Sequence, residues 1–236
     1  MSSNGITSTV NVPPKVFFVD RATGDLEPNE RLTEPDASTW QVLRRCLGAV
    51  GAWHACGAHS WVSASYVGRG LALTVGHALP RSEPARWHDI AWGDGTRSKV
   101  QGLFAAGDAL QDWALLKLEE GGHLPATPLL PIEWSALEVA LLHFSGALDR
   151  DDQHNHRSPH LQYSGLNPQR RDGPSHLRHR CDTAPAGSGS PVLAIVEGAP
   201  RLMAVHGNGI NDVGEWNRAV LVQTICLPNG TLLTEQ

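Results

Sequence analysis

Residues 186–196 read Ala-Gly-Ser-Gly-Ser-Pro-Val-Leu-Ala-Ile-Val, which places Ser188 between two glycines directly before an apolar run. A turn of small residues exposes the serine hydroxyl and frees several backbone N–H groups, and acyl-transfer chemistry needs both. Gly-Ser-Gly sequences also form linkers and ordinary hairpins, so this turn alone does not indicate a catalytic site. Two segments upstream favour the catalytic interpretation.

Both upstream segments offer a residue that a nucleophilic serine requires. The run Leu73-Thr74-Val75-Gly76-His77 ends an apolar strand pattern in a histidine, and Asp112-Trp113-Ala114-Leu115-Leu116 opens another apolar run with an aspartate. The serine needs a base to accept its proton, and the base needs an anion that fixes its tautomer and stabilises its cation. The order His77, Asp112, Ser188 is that of chymotrypsin-type proteases, and differs from the orders in subtilisins and α/β-hydrolases.

Four sequence blocks together resemble the trypsin-like serine proteases. "LTVGHAL", "DWALLKL" and "CDTAPAGSGSPV" are similar to the three catalytic blocks of that family. "AVHGNG", followed by Asn217-Arg218, is similar to a stretch of the bacterial glutamyl endopeptidases. The resemblance extends over residues 35–230. It implies an all-β chain of two six-stranded antiparallel barrels with the active site between them, and about eleven short apolar runs separated by Gly or Pro agree with an all-β chain.

The resemblance also implies a role for each matching residue. Ser188 is the expected nucleophile of a serine endopeptidase, His77 the general base and Asp112 the acid that orients it. The backbone N–H groups of Ser188 and Ala186 form the expected oxyanion hole. The enzyme is therefore expected to hydrolyse peptide bonds of a protein or peptide substrate without a cofactor.

The expected substrate-binding residues are Asp182, Thr183, His206, Gly207 and Asn208, the last three matching the strand that pairs with the substrate backbone. Donors from Thr183 and His206 suit a carboxylate, so we expect cleavage after Glu or Asp. A free Asp182 at the base of the pocket would instead select Lys or Arg, which is the alternative. A third interpretation has His206 hydrogen-bonded in the core, with Asp182 as a candidate partner.

Two departures from the family pattern keep other functions open. Ala186 stands where relatives usually have Gly, and a backbone with φ > 0 there would be strained. This favours two rivals: a catalytically silent barrel used for binding, and a protease that stays inactive until a partner or a cleavage orders its pocket. Ala78 stands where most relatives have a cysteine, so the disulfide beside the catalytic histidine is absent.

Composition limits the class of protein. The chain has 236 residues, 18% of them charged, and a net charge of −5, which argues against a nucleic-acid partner because such proteins carry a clustered basic face. No apolar run approaches the length of a membrane span. The length suits two cores, and we predict an N-terminal arm or pro-segment over 1–34, a first barrel over 35–125 and a second barrel over 126–236.

Cysteines and histidines do not favour a metal site, although His154-x-His156 could chelate a metal if it were not part of a solvated polar loop. Cys46, Cys56, Cys181 and Cys226 match no zinc spacing, and His154-x-His156 belongs to a charged loop predicted over residues 147–177, in or beside which His160, His176 and His179 also fall. Bridges 46–56 and 181–226 are conceivable, but buried free thiols are favoured. The polar Met1–Gly5 segment lacks the features of a secretory signal, so we expect a cytoplasmic protein, with secretion as the alternative that the family suggests.

Overall fold

Short β-strands joined by turns make up nearly all the regular structure of the computed structural model. It describes residues 47–53, 59–79, 87–92, 96–119, 124, 126–130, 138–145, 160–181, 187–197, 199–207 and 216–235. Within these ranges lie thirteen strands and three 3-10 turns, and no α-helix. The prediction of an all-β chain is confirmed. The described ranges contain no helix long and apolar enough to cross a membrane.

Seven antiparallel strands come from the first half of the chain: β1 Leu47–Trp53, β2 His59–Gly68, β3 Leu71–Thr74, β4 Trp87–Trp92, β5 Arg97–Ser98, β6 Val100–Ala106 and β7 Ala114–Leu118. They pair in the order β5-β4-β1-β2-β3-β7-β6. Six strands were predicted here. The structure has seven because the chain changes partner at Lys99: β5 pairs with β4, whereas β6 pairs with β7. The two ends of the order are therefore neighbours in the chain, and β6 also lies against β4.

Six strands come from the second half: β8 Glu138–Ser145, β9 His160–Asp172, β10 His176–His179, β11 Pro191–Val196, β12 Ala199–His206 and β13 Asn217–Leu221. They form a closed antiparallel barrel in the order β10-β13-β12-β11-β8-β9. The charged loop predicted over residues 147–177 is wrong from residue 160 onward, since β9 occupies residues 160–172 and a turn leads from it into β10; residues 147–159 lie outside the described residues. The predicted domain boundaries stay predictions.

Two apolar cores fill these halves. The core of the second barrel includes Leu141, Leu177, Val192 and Leu221, all fully or almost fully buried. The larger core contains first-half residues such as Leu73 and Leu115. It also takes in residues from the second half, which include Leu193, Leu202, Val205, Val220 and Val222. Because each such side chain contributes about 1.5–3 kcal/mol on burial, this shared core holds the two halves against one another.

The described cysteines are free thiols. Cys181 is buried and its Sγ donates to the carbonyl oxygen of Val139 at 3.3 Å, whereas Cys226 is exposed. No 181–226 bridge forms, and the expectation of burial was wrong for Cys226. The predicted 1–34 arm, Cys46, Cys56 and the His154-x-His156 pair lie outside the described residues. In the described ranges no group of three His, Cys, Asp or Glu side chains could hold a metal ion.

Candidate active site

Strand register brings His77 and Asp112 together. Thr74 at the end of β3 pairs with Ala114 at the start of β7, so the residues just beyond these two positions lie side by side. A 3-10 turn over Gly76–Ala78 then presents the imidazole of His77. Its Nδ1 lies 2.9 Å from Oδ2 and 3.1 Å from Oδ1 of Asp112, and its backbone N–H donates to Oδ1 at 2.8 Å. The carboxylate thus holds the ring at two points.

Asp112 sits at the end of a tight turn. Its φ is +46°, in the left-handed region that Asp tolerates better than most residues. The backbone N–H of Asp112 donates to the carbonyl oxygen of Asp108 at 2.9 Å, and the Asp108 carboxylate accepts the N–H groups of Leu110 and Gln111, each at 2.9 Å. The turn therefore fixes the backbone of Asp112, from which its carboxylate reaches His77.

The chemistry of the pair follows from its hydrogen bonds. A carboxylate can only accept, so Nδ1 of His77 carries the proton that it donates to Asp112. A neutral His77 then keeps a lone pair on Nε2, which is the arrangement of a general base. Protonation of Nε2 gives an imidazolium next to an anion, which stabilises it.

The Ser188–Gly189 turn is docked between the two halves of the molecule. The backbone N–H of Ser63 on β2 donates to the carbonyl oxygen of Ser188 at 2.7 Å, while Gly189 N–H donates to the carbonyl oxygen of His206 on β12, also at 2.7 Å. Gly189 has φ +84°, and a Cβ there would overlap the Ser63 carbonyl oxygen and lie 2.6 Å from Thr74 Oγ1. Only glycine permits this docking.

Thr74 links this docking to the other two predicted catalytic residues. Its hydroxyl donates to the Ser63 carbonyl oxygen at 2.8 Å, and it precedes His77 by three residues. The partly exposed Ser188 therefore lies against the same pair of strands, β2 and β3, that carries His77. Among the described residues, His77 contacts Asp112 but has no hydrogen bond to the Ser188 hydroxyl. Catalytic hydrogen bonds are often long in enzymes without substrate.

His206 lies inside the second barrel, next to a second buried histidine. Its Nδ1 is 3.2 Å from Nε2 of His179, and the ring centroids are 5.2 Å apart. The backbone N–H of Cys181 donates to Nδ1 of His179 at 3.3 Å, so the proton of a neutral His179 is on Nε2, facing His206. Full burial lowers the pKa of His179 to about 3, which keeps this ring neutral.

Gly207 connects this region to the catalytic pair. A Cβ on Gly207 would stand 3.2 Å from Oδ2 of Asp112, so a side chain there would press on the carboxylate. Its backbone N–H donates to the Arg218 carbonyl oxygen at 3.0 Å. The end of β12 therefore passes directly behind Asp112, so the predicted pocket residues His206 and Gly207 lie close to the His77–Asp112 pair.

Solved structures of proteases share this architecture. The chain is similar to a serine endoprotease from Yersinia pestis, with 16% identity, 80% of this chain and 63% of that chain covered, and a TM-score of 0.59. It is similar to a protease of M. tuberculosis in its active form, with 13% identity, 84% and 87% covered, and a TM-score of 0.56. The fold is that of the trypsin-like serine proteases. Protease Anisep from Arthrobacter nicotinovorans has this fold too, with 12% identity, 76% and 91% covered, and a TM-score of 0.57.

The likeness to these trypsin-like folds lies in structure rather than in sequence. Neither a protein-family model nor a curated protein matches the chain. The chain spans less than two thirds of the Yersinia pestis structure and 59% of an HtrA-type protease that it also resembles. At these low identities the likeness carries the fold alone, so the glutamyl endopeptidase branch stays a prediction.

The structure leaves part of the predicted site untested. Asp182, Thr183, Ala186 and Asn208 lie outside the described residues, and with them the oxyanion contribution of Ala186 and most of the pocket. The predicted roles of His77, Asp112, Ser188, His206 and Gly207 stay predictions, although the fold brings these five residues into one region.

Two polar residues near the candidate pocket were missed by sequence reasoning. His179 was grouped with the histidines in or beside a charged loop, yet it points into the barrel with Leu177, as strand alternation from Leu177 would have indicated. Asn217 is buried, and its Nδ2 donates to the Cys181 carbonyl oxygen at 2.9 Å. It therefore anchors the chain just before the predicted pocket residues Asp182 and Thr183.

Proposed function

We propose that this chain is a serine endopeptidase that uses Ser188, His77 and Asp112. The observation that carries the proposal is the His77–Asp112 pair at 2.9 Å, standing on the strands against which the Ser188 turn is docked. A His–Asp pair beside a serine between two glycines is what acyl transfer requires. The shared fold with known proteases supports the same conclusion.

In the proposed reaction, Nε2 of His77 accepts the proton of the Ser188 hydroxyl while Oγ bonds to the scissile carbonyl carbon. The backbone N–H groups of Ser188 and Ala186 receive the oxyanion, and Asp112 stabilises the imidazolium. The imidazolium then gives its proton to the leaving amine as the C–N bond breaks. Water, deprotonated by His77, attacks the acyl-enzyme, and Oγ leaves with the proton.

For specificity, we propose cleavage after Glu or Asp, with His206 as the donor to the substrate carboxylate. Nδ1 of His206 faces the N–H of His179, so a neutral His206 carries its own proton on Nε2. That N–H is a donor, and a carboxylate is an acceptor. In this proposal the hydrogen bond to an acidic side chain does not require a charged ring.

The proposal is tested by mapping cleavage sites in a denatured peptide library by mass spectrometry. Wild-type protein should cut after Glu, less often after Asp, and Ser188→Ala should cut nowhere. His206→Ala should lose most cleavage after Glu, while a serine-directed phosphonate should still label Ser188. Cleavage confined to sites after Lys or Arg, and lost in Asp182→Ser, would overturn the acidic preference and leave the peptidase proposal standing.

The same probe separates the two rival functions. A protein that reacts with the phosphonate at Ser188 but cuts no peptide would point to a protease awaiting a partner or a cleavage. A protein that neither reacts nor cuts would be a binding module with a protease fold, and the proposed function would be wrong.

A further inference from the structure

A histidine of the second barrel is tied to the turn that carries Asp112. His176 opens β10, is almost completely buried, and has its Nε2 3.1 Å from the carbonyl oxygen of Leu110. Leu110 lies in the Asp108–Asp112 turn, two residues before the predicted catalytic carboxylate. On the other side of the ring, Nδ1 of His176 is 2.9 Å from the hydroxyl of Ser175.

Both hydrogen bonds of His176 have a defined direction. A carbonyl oxygen accepts only, so Nε2 must be the nitrogen that carries the proton. In the neutral ring Nδ1 is then an acceptor, and the Ser175 hydroxyl donates to it. Burial and the charge of Arg218 lower the pKa of His176, against weaker opposing contributions from the Leu110 hydrogen bond, Asp172 and Asp112. The neutral tautomer that donates to Leu110 is thus the resting form.

Among the described residues, the second half reaches this turn at His176 and at Gly207, which lies behind Asp112. The turn's own hydrogen bonds run between Asp108, Leu110, Gln111 and Asp112 and stay within the first half. The Leu110 side chain is 76% exposed, so apolar burial does not anchor it. The His176 donor reaches the turn from β10 across 66 residues of sequence.

We propose that His176 is a positioning residue that fixes the Asp112 turn to the second barrel, and thereby keeps the His77–Asp112 pair aligned with Ser188. The inference rests on the proposed function. The His77–Asp112 pair and Ser188 come from different halves of the molecule. Any movement of one half against the other therefore displaces Nε2 of His77 relative to the Ser188 hydroxyl. A displacement of about 1 Å in such a site lowers turnover about a hundredfold.

The test compares two substitutions that differ in one donor. His176→Phe fills the volume of the ring but cannot donate, whereas His176→Gln offers an N–H at about the position of Nε2. On a peptide that the wild-type enzyme cleaves, the Phe variant should lose about tenfold to a hundredfold in kcat with KM within about twofold. The Gln variant should recover to within about threefold of wild type. Ser175→Ala, which keeps the donor, should lose no more than about threefold.

The outcomes distinguish the positioning role of His176 from the proposed peptidase function. If Asp112→Asn and Ser188→Ala are inactive while His176→Phe turns over like wild type, the positioning role is wrong and the proposed function stands. Equal losses in the Phe and Gln variants would also overturn it, because the donor would then be irrelevant. Full activity of Ser188→Ala would instead refute the proposed function. If the Phe variant does not fold, His176→Met replaces it, since Met packs adaptably and lacks the donor.

Discussion

Each half of the molecule holds a pair of hydrogen-bonded residues that includes histidine, and the two pairs differ in what surrounds them. In the first half, His77 and Asp112 stand on turns at the ends of strands, with 27% and 20% of their side chains exposed. In the second half, His179 and His206 lie inside a closed barrel, both buried. His77 faces a carboxylate and can take up a proton. His179 faces a backbone N–H and another imidazole, so it stays neutral and serves as a fixed donor.

The largest effect should come from removing the proposed nucleophile of the second half or the proposed base of the first half. Ser188→Ala and His77→Ala should each lower kcat by about four to six orders of magnitude, and the double variant should lose little more, because the residues act as a unit. Steady-state kinetics on a mapped peptide measures this. Losses that multiply in the double variant would mean that the two residues act independently. The proposal that His77 in one half activates Ser188 in the other would then be wrong.

The docking of the two halves depends on Gly189. Gly189→Ala should reduce the free energy of unfolding by about 2–4 kcal/mol, from overpacking against Ser63 and from the positive φ, and should lower kcat/KM at least tenfold. Gly230→Ala is the matched control, since Gly230 has φ +85° and nothing within 4 Å of its Cβ position.

The control should lose only about 1 kcal/mol and keep full activity. Denaturant titration and peptide kinetics on both variants measure the difference. Equal behaviour of the two variants would show that the contact with Ser63 does not position the Ser188 turn.

The burial of His179 should make the stability of the folded protein depend on pH. The unfolded chain binds a proton on His179 below pH 6.5, while the folded protein does not until about pH 3. Folding is therefore disfavoured as pH falls below 6.5, by about 1.4 kcal/mol per pH unit from this residue alone. Its contribution is fully present above pH 6.5.

His179→Gln keeps a donor and cannot titrate in this range. The variant should start with a lower free energy of unfolding at pH 8 but lose about 2 kcal/mol less than wild type between pH 6.5 and pH 5. Denaturant titrations at several pH values measure both slopes. Equal slopes of unfolding free energy against pH in the two proteins would mean that His179 titrates normally in the folded state. The conclusion that burial keeps His179 neutral would then be wrong.

The smallest effect concerns the two cysteines that the structure describes, Cys181 and Cys226, which belong to the second half. Cys226→Ser should remove one fast-reacting thiol from a titration of the folded protein, and Cys181→Ser should remove none, because Cys181 is buried. Dithiothreitol should leave the melting temperature unchanged. A large fall would reveal a structural disulfide and would favour the secreted alternative.

The sequence was informative where chemistry restricts the residue type. A nucleophile, a base and an orienting acid in that chain order predicted His77, Asp112 and Ser188 as one group, and pairing of Thr74 with Ala114 supplies the geometry for two of them. His179 was not recognised, because a histidine between arginines resembles a solvated loop. Alternation from Leu177 places it on the buried face of β10, but the pairing of β10 with β13 and of β13 with β12, which brings it to His206, is not encoded by any local pattern.

The same limit explains why β9 was not predicted at its full length. The length of β9 depends on its partners β8 and β10, which lie on either side of it in the barrel, and not on the Arg and Gln residues in its own sequence. Inside the second barrel His206 meets His179, 27 positions away in the chain, while its predicted partner Asp182 lies outside the described residues. Sequence patterns predict which face of a strand is buried better than which side chains meet inside.

The docking of Gly189 against Ser63 and His206 also has a consequence for biosynthesis. Because the N terminus of the chain is made first, a ribosome that has reached β7 has already delivered His77 and Asp112. Ser188 finds its place only when the His206 carbonyl has been made as well, after about ten seconds of further synthesis at usual rates. Under the proposed function, nascent chains on a crowded polysome therefore carry the proposed base and acid without an aligned nucleophile, and they would not cleave one another until translation has passed His206.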